Sequence, residues 1–411
     1  MVRSLNESNI PDDWKFDLLD KFTIRCSGHT PNKKITEYWN GNVKWISLSD
    51  SSNLDNGYIS KTKKEISEEG IKNSSAAVHP AETVVLSRDA GVGKSAVMAV
   101  PMAVSQHFIA WQCDNTYTIN SWYLYNWLQI LKPEFERQAV GSTIKTIGLP
   151  YFKKLKIALP PIVEQNKIAK VLNTWDIAIK TTEKILDNSQ LQRKALMQKL
   201  LAGKERFKYF TEDWIESRID RVCDIKKGKD LSKGKLEDNG INKCILYGEL
   251  FTIYSEVICN VRSRTDVNEG IESVYGDVLI PSSTTTSGID LANATALLED
   301  GVLLGGDINI LRPDMEKIIP EFLSYLITHN KKYEISSRAQ GITIIHLYGN
   351  DIKPIKILIP PKEEQQKIAE ILMSSDHEMN LLRKEISYLK KEKKALMQQL
   401  LTGKRRVKVD A

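Results

Sequence analysis

No run in this 411-residue chain approaches the roughly 18 consecutive apolar residues of a membrane span. The opening stretch MVRSLNESNIPDDW is too polar for a secretory leader, so no membrane partner and a cytoplasmic location are expected. Cysteine is scarce, with five residues at Cys26, Cys113, Cys223, Cys244 and Cys259. No two form a CxxC pair and the count is odd, which argues against a disulfide framework. The six histidines include no HExxH and none sits at zinc spacing from a cysteine, so no metal site is expected. A G-x-S-x-G nucleophile elbow is missing, as is the (N/D)PP(Y/F) tetrapeptide of an amino-methyltransferase. PDMEK at 313–317 lacks the wider Asp to E-x-K spacing of a nuclease metal site and reads as a capped turn. No catalytic set emerges. Nor is charge of one sign in large excess: 58 Lys+Arg against 52 Asp+Glu give +6, which permits nucleic-acid binding without requiring it. A 41% hydrophobic and 27% charged composition excludes wholesale disorder. At about 100–200 residues per domain, the length suggests two or three domains.

What is present is a duplication. LPPIVEQNKIAKVL at 159–172 recurs as IPPKEEQQKIAEIL at 359–372, and KALMQKLLAGKERFK at 194–208 recurs as KALMQQLLTGKRRVK at 394–408. Both pairs share a gapless offset of 200 residues, and 21 of 50 positions match across the window. The register extends outward more faintly. Asp13 and Trp14 line up with Asp213 and Trp214, and Ala139, Gly141, Thr143 and Ile144 line up with Ala339, Gly341, Thr343 and Ile344. Each half is thus a diverged globular segment followed by a preserved one.

The preserved segments read as long helices. Pro160-Pro161 and Pro360-Pro361 mark their starts, and Gly203 and Gly403 their stops. Between these signals Ile368, Leu372, Met379, Leu382, Ile386, Leu389, Leu396 and Leu400 form a 4-3 stripe, broken by Ser375 and Lys393. The first copy keeps Ile168, Leu172, Trp175, Ile179, Leu186, Leu196 and Leu200, broken by Thr182, Ser189 and Arg193. A seam repeating every ~3.5 residues signals coiled-coil packing. At ~1.5 Å per residue such a helix is a rod of roughly 57 Å that needs a partner, and its own copy is the nearest candidate. A pseudo-two-fold antiparallel pair with a globular domain at each end is expected. Two separately folding bundles are the alternative. The globular parts, with short runs such as VKWISLSD (43–50), TVVLSRD (83–89), YTINSWYLYNWL (117–128) and YFKKLKIALP (151–160), read as β-rich with helical patterns at 133–140 and 320–339. The fold class is therefore α+β.

RDAGVGKSA at 88–96 suggests a phosphate loop, but the position for its first glycine is Arg88, and Pro101 cuts short any following helix. Aligned with LIPSSTTTSGID (279–290), the segment VVLSRDAGVGKS (84–95) keeps Gly93 as Gly288 and loses the lysine. A Gly- and hydroxyl-rich loop suited to phosphates or base edges is the better reading, with Arg88 and Lys94 in one copy and Ser282, Ser283 and Thr284–Thr286 in the other. A plain surface turn is the simpler alternative. Basic residues cluster in both halves. Lys33, Lys34 and Lys44 lie among Tyr38, Trp39 and Trp45, and Lys226, Lys227, Lys229, Lys233 and Lys235 precede Arg262 and Arg264. Each cluster alone reads as a solvated face. Their recurrence in a basic chain without a catalytic set points to DNA.

The tandem organisation, the doubled L/I-P-P-x-x-E-Q opening (Pro160, Pro161, Glu164, Gln165; Pro360, Pro361, Glu364, Gln365) and the K-A-L-M-Q-x-L-L-x-G-K closing run resemble the specificity subunit of type I restriction–modification systems. The segment from WISLSD to RDAGVGKSAV also resembles that family's target-recognition domain, whereas PSSTTTSG in the second half departs from R-x-A-G-x-G-K. The resemblance implies target-recognition domains at 1–158 and 209–358 and spacer helices at 159–208 and 359–411. It implies a non-catalytic chain that reads a bipartite, asymmetric double-stranded DNA target, one half-site per domain. The helices would act as a ruler and dock two methyltransferase subunits, with restriction/translocase subunits in the full complex. S-adenosylmethionine, ATP and Mg²⁺ would belong to those partners, and none to this chain. The DNA-contacting candidates are Lys33, Lys34, Lys44, Ser87, Arg88, Gly93 and Lys94 in the first domain, and Lys227, Lys229, Ser282, Ser283 and Thr284 in the second. Rival readings are a P-loop-like NTP-binding protein and a coiled-coil scaffold that does not touch DNA.

Overall fold

The computed structural model of the chain describes residues 10–408; the polar stretch 1–9 and residues 409–411 lie outside the described residues. Contacts divide the chain inside its two long helices. One unit comprises the residues up to Glu183 with those from Lys384, and the other is Lys184–Arg383.

The two units are built from the same pieces. In the first, a five-stranded sheet runs in the order Ile24–Ser27, Phe108–Gln112, Val84–Ser87, Ser95–Met98, Tyr58–Ile59. In the second, the order is Cys223–Lys227, Ile308–Pro313, Asp277–Pro281, Thr295–Leu297, Val257–Ile258. Each sheet ends in one parallel pair, Tyr58–Ile59 on Val97–Met98 and Val257–Ile258 on Ala296–Leu297. The middle strands are wholly buried, and their apolar runs VVL at 84–86 and VLI at 278–280 suit strands covered on both faces. A four-stranded sheet accompanies each, centred on Trp39–Ile46 and Met102–Val104 in one unit and on Asn242–Ile245 and Leu303–Leu304 in the other.

One expected strand is a helix. The aromatic-rich run 117–128 has the composition of a strand, yet Ser121–Gln138 is helical. Asn120 decides this: its Oδ1 accepts from the backbone N–H groups of Trp122 (2.9 Å) and Tyr123 (3.0 Å), capping the first turn. Tyr123, Leu124, Trp127, Leu128 and Phe135 then fall on one face and are buried. Composition favoured a strand, and the cap with helical spacing outweighs it. The second unit's counterpart at 320–339 is helical as expected, with a π-turn at Leu326–Asn330 between Pro320–Tyr325 and Lys332–Arg338.

The long helices are Ile162–Leu200 and Lys362–Leu400, each 39 residues and opening directly after its proline pair. Gly203 and Gly403 follow in the left-handed region (φ 63° and 73°), where the chain turns away. In each unit the N-terminal half of one helix lies antiparallel to the C-terminal half of the other. Ile168 and Leu172 share a core with Met397, Leu400 and Leu401, and Ile368 and Leu372 share one with Met197, Leu200 and Leu201. The two cationic breaks in the apolar stripe are paired with acids. Lys393 donates to Asp176 at 2.6 Å, while Arg193, its counterpart, contacts Asp376 (3.2 Å) and Glu256 (2.9 Å). A displaced register would leave these charges half-buried without partners, so the breaks specify alignment as well as interrupting the seam.

The doubled P-P-x-x-E-Q motif fastens each domain to its helix. Gln165 accepts from the N–H of Asn120 (2.9 Å) and donates to the carbonyls of Thr118 (3.0 Å) and Pro160 (2.8 Å). Gln365 repeats all three bonds with Ile319, Lys317 and Pro360. Buried Glu164 accepts both Nε and Nη2 of Arg406 at 2.7 Å, and Trp14 Nε1 at 3.3 Å. Glu364 takes the same bonds from Arg206 (3.0 and 2.7 Å) and Trp214 (3.0 Å). These hydrogen bonds raise both guanidinium groups, that of Arg406 well above its ordinary range with further help from Asp13. Arg206 precedes its domain in the chain. Arg406 reaches back from the C-terminal segment to do the same work for the first domain.

Candidate nucleic-acid interface

The loop 88–94 joins two antiparallel strands, Val84–Ser87 and Ser95–Met98. A strand where a P-loop needs a helix removes the nucleotide cradle. The turn is closed from within. Gly93 N–H donates to Ser87 O (3.0 Å) and Ser87 N–H to Lys94 O (2.8 Å). Gly93 is left-handed (φ 83°), and a Cβ there would sit 3.0 Å from Lys132 Cγ, so glycine meets both a backbone and a packing need. Gly288 is not its equivalent. The second-domain loop spans 282–294, between Asp277–Pro281 and Thr295–Leu297, and Gly288 there opens a short 3-10 turn outside the left-handed region.

The candidates of the first domain divide into two groups. Ser87 is buried with its hydroxyl on Asp89 O (2.7 Å). Arg88 is half-buried beside Asp89 (3.5 Å), whose carboxylate also meets His107 Nδ1 at 2.7 Å. Lys94 Nζ donates to Ser51 O at 3.2 Å. These cations are engaged by their own domain. Lys33 and Lys34, by contrast, stand exposed on the loop before Trp39–Ile46. Trp39 and Trp45 hold that loop through Asn32 O (3.2 Å) and His29 O (3.0 Å), their rings meeting edge to face. Lys44 lies on the same strand opposite Glu65, and Lys64 sits over the Trp39 ring. Lys33, Lys34, Lys44 and both tryptophans therefore belong to one region, and loop 88–94 joins strands of the other sheet.

In the second domain Lys227 and Lys229 are exposed, the latter 3.8 Å from Asp230. Ser282, Ser283 and Thr284 are buried. A hairpin covers them: Ser283 and Thr284 pair with His346 and Ile345, and Leu347 N–H donates to Ser282 O at 2.9 Å. A half-open cleft of about 1160 Å³ lies between the segments 230–236, 246–253 and 305–307, with Lys233, Lys235 and Tyr247 on its walls. Three side chains were not singled out from the sequence: His346, Tyr348 and Lys353. His346 and Tyr348 stack (centroids 6.0 Å, 18°), and Lys353 is exposed nearby. The recurring A-x-G-x-T-I at 139–144 and 339–344 was the available signal, since it marks the hairpin in both domains.

Two separate stretches, 11–188 and 211–391, match the family model described as "Type I restriction modification DNA specificity domain". The chain belongs to that family. It is a type I specificity chain with two target-recognition domains, one in each unit. Relatives along nearly its whole length include the type I restriction enzyme MjaVIII and MjaIX specificity subunits of Methanocaldococcus jannaschii. Each is 25% identical, covering 99% and 97% of this chain and 96% and 95% of the relative. In fold it is similar to the S subunit of a type I restriction–modification system from M. genitalium (TM-score 0.61, 18% identity, 97% of this chain and 98% of the other). The HsdS subunit from Thermoanaerobacter tengcongensis is also similar (TM-score 0.50, 17% identity, 96% and 98%). Among the described residues no helix is long and apolar enough to cross a membrane, and no group of three or more His, Cys, Asp or Glu could hold a metal ion.

Proposed function

We propose that this specificity chain reads a bipartite, asymmetric DNA target, one half-site per recognition domain, as the address-bearing and non-catalytic member of a methylation and restriction complex. One observation carries this reading. The attachment chemistry is identical in both units, through Glu164, Gln165 and Arg406 and through Glu364, Gln365 and Arg206, while the surfaces presented by the domains differ. Two like helix surfaces suit two copies of one partner, a methyltransferase subunit. Two unlike domain surfaces suit two unlike half-sites. On this reading S-adenosylmethionine, ATP and Mg²⁺ are held by methyltransferase and restriction/translocase partners, and the 39-residue helices set the unread spacer.

Methylome sequencing of cells with and without the chain tests the proposal. A split adenine-methylation motif should vanish with the chain. Exchanging segment 29–50 should alter one half-site only, and lengthening the helices should change only the spacer. An unchanged methylome on deletion would refute it, and a scaffold that does not touch DNA would then be favoured.

A further inference from the structure

The recognition domains diverge on most of their surfaces, yet each builds the same exposed hairpin. In the second domain it is closed by reciprocal backbone bonds between Gln340 and His346 (2.8 and 2.7 Å), and in the first by Val140 and Thr146 (3.0 and 2.9 Å). Gly341 and Gly141 turn it with φ of 130° and 124°, where a Cβ would collide with the carbonyl oxygen of Ile344 or Ile144. Both hairpins return over the loop that the sequence had marked. Thr146 bridges Asp89 and Ile147 N–H bonds Arg88 O, just as His346 and Leu347 cover Ser283 and Ser282. The hairpins thus present the outer surface at these loops. Each tip holds isoleucine out to solvent beside a threonine: Ile144 is 57% exposed, Ile344 49% and Ile342 98%.

Beneath the second hairpin lies an open groove of about 280 Å³, lined by Lys226, Lys227 and Lys353 with Ser282, Tyr348 and Asn350, and by no carboxylate. Asp224 lies 3.6 Å from Lys226, while among the described residues Lys227 and Lys353 have no acidic partner. Among the described residues the Lys353 ammonium donates to the side-chain oxygen of Asn350 alone (2.9 Å). The groove is tied to the hairpin through Asn309, which faces Lys227 across the sheet and donates to Leu347 O (2.9 Å). Unpaired ammonium groups under an apolar ridge match a surface of phosphates flanking a groove, and apolar side chains are established wedges in DNA minor grooves.

We propose that this hairpin, with Lys227 and Lys353, is a sequence-independent anchor on duplex DNA, and that the hairpin at 140–146 is its counterpart in the first domain. The shared Thr-Ile pair meets what all duplexes have in common, the sugar–phosphate walls, and leaves base reading to the diverged surfaces. The anchor rests on the DNA-reading function proposed above.

The test uses the full chain assembled with its methyltransferase partner and labelled duplexes of unrelated sequence, titrated between about 50 and 200 mM KCl. The double variant Lys227→Gln/Lys353→Gln should lower the slope of log K against log salt by roughly 1.8, at about 0.9 per phosphate, and weaken every duplex by a similar factor. Both side chains are exposed, so the fold is not at risk. A photocrosslinking residue at Ile342 should attach to a DNA strand. If the parent binds duplex and the variant keeps its slope, the anchor is refuted and the DNA-reading function stands. Weakening confined to one sequence, or crosslinking to the methyltransferase instead, also refutes the anchor. A parent complex that binds no duplex overturns both.

Discussion

Gln165 offers a sharp test of how the domains are held. It is fully buried and makes three hydrogen bonds to backbone groups of the segment entering Ser121–Gln138 and of Pro160. Gln165→Met keeps the volume and removes all three. At a net ~1 kcal/mol per bond, with up to ~1–3 kcal/mol for any group left buried without a partner, the expected loss is about 3 kcal/mol. Gln165→Glu is closer in shape yet should cost at least as much, because it turns an acceptor toward two carbonyl oxygens where the amide had donated. The equivalent Gln365 bonds Ile319, Lys317 and Pro360 in the same way, so Gln365→Met should lose a similar amount. With no shared partners, the two losses should add within ~0.5 kcal/mol. Urea titration with hydrogen exchange at Thr118–Asn120 and Lys317–Ile319 would measure each site. A loss below ~0.5 kcal/mol for either methionine variant, or tolerance of glutamate, would refute the account.

Other expectations follow from the same geometry. Arg406→Ala leaves buried Glu164 without its cation; because Arg406 is partly exposed and screened, a loss of about 2 kcal/mol and faster exchange across 401–408 are expected, and calorimetry should find Arg406→Lys intermediate. Burial pushes the Glu256 carboxyl up, but His329 and Arg193 outweigh it and hold it at about 2. That depressed value contributes stability above the unfolded pKa of 4.5, lost as pH falls from there toward about 2. Glu256→Gln should flatten the stability profile in that window, by roughly 3 kcal/mol. Burial pushes Cys223 up to about 12 and Cys244 to about 11, so at neutral pH both should resist iodoacetamide while exposed Cys259 reacts, as mass spectrometry of the labelled chain can read.

Much of this molecule is legible in one dimension. The 200-residue offset, the proline starts, the glycine stops and the 4-3 stripe specify two like helices and two unlike domains, because helix period and chain breakers are local properties. The family likeness resides in the same positions. Which polar residues face solvent is decided elsewhere. Ser282–Thr284 look like an exposed hydroxyl loop, but they are buried because a hairpin some 60 residues later pairs with them. Arg88 and Lys94 look like free cations, but Asp89 and Ser51 engage them. The run 117–128 has strand composition, and Asn120 with the buried face of Tyr123 and Trp127 makes it a helix. Glu164 looks like a helix-opening acid, and only the fold gives it Arg406, 242 residues away. Local sequence sets period and punctuation, whereas burial and pairing depend on what distant chain segments cover, and that is settled only when the chain packs.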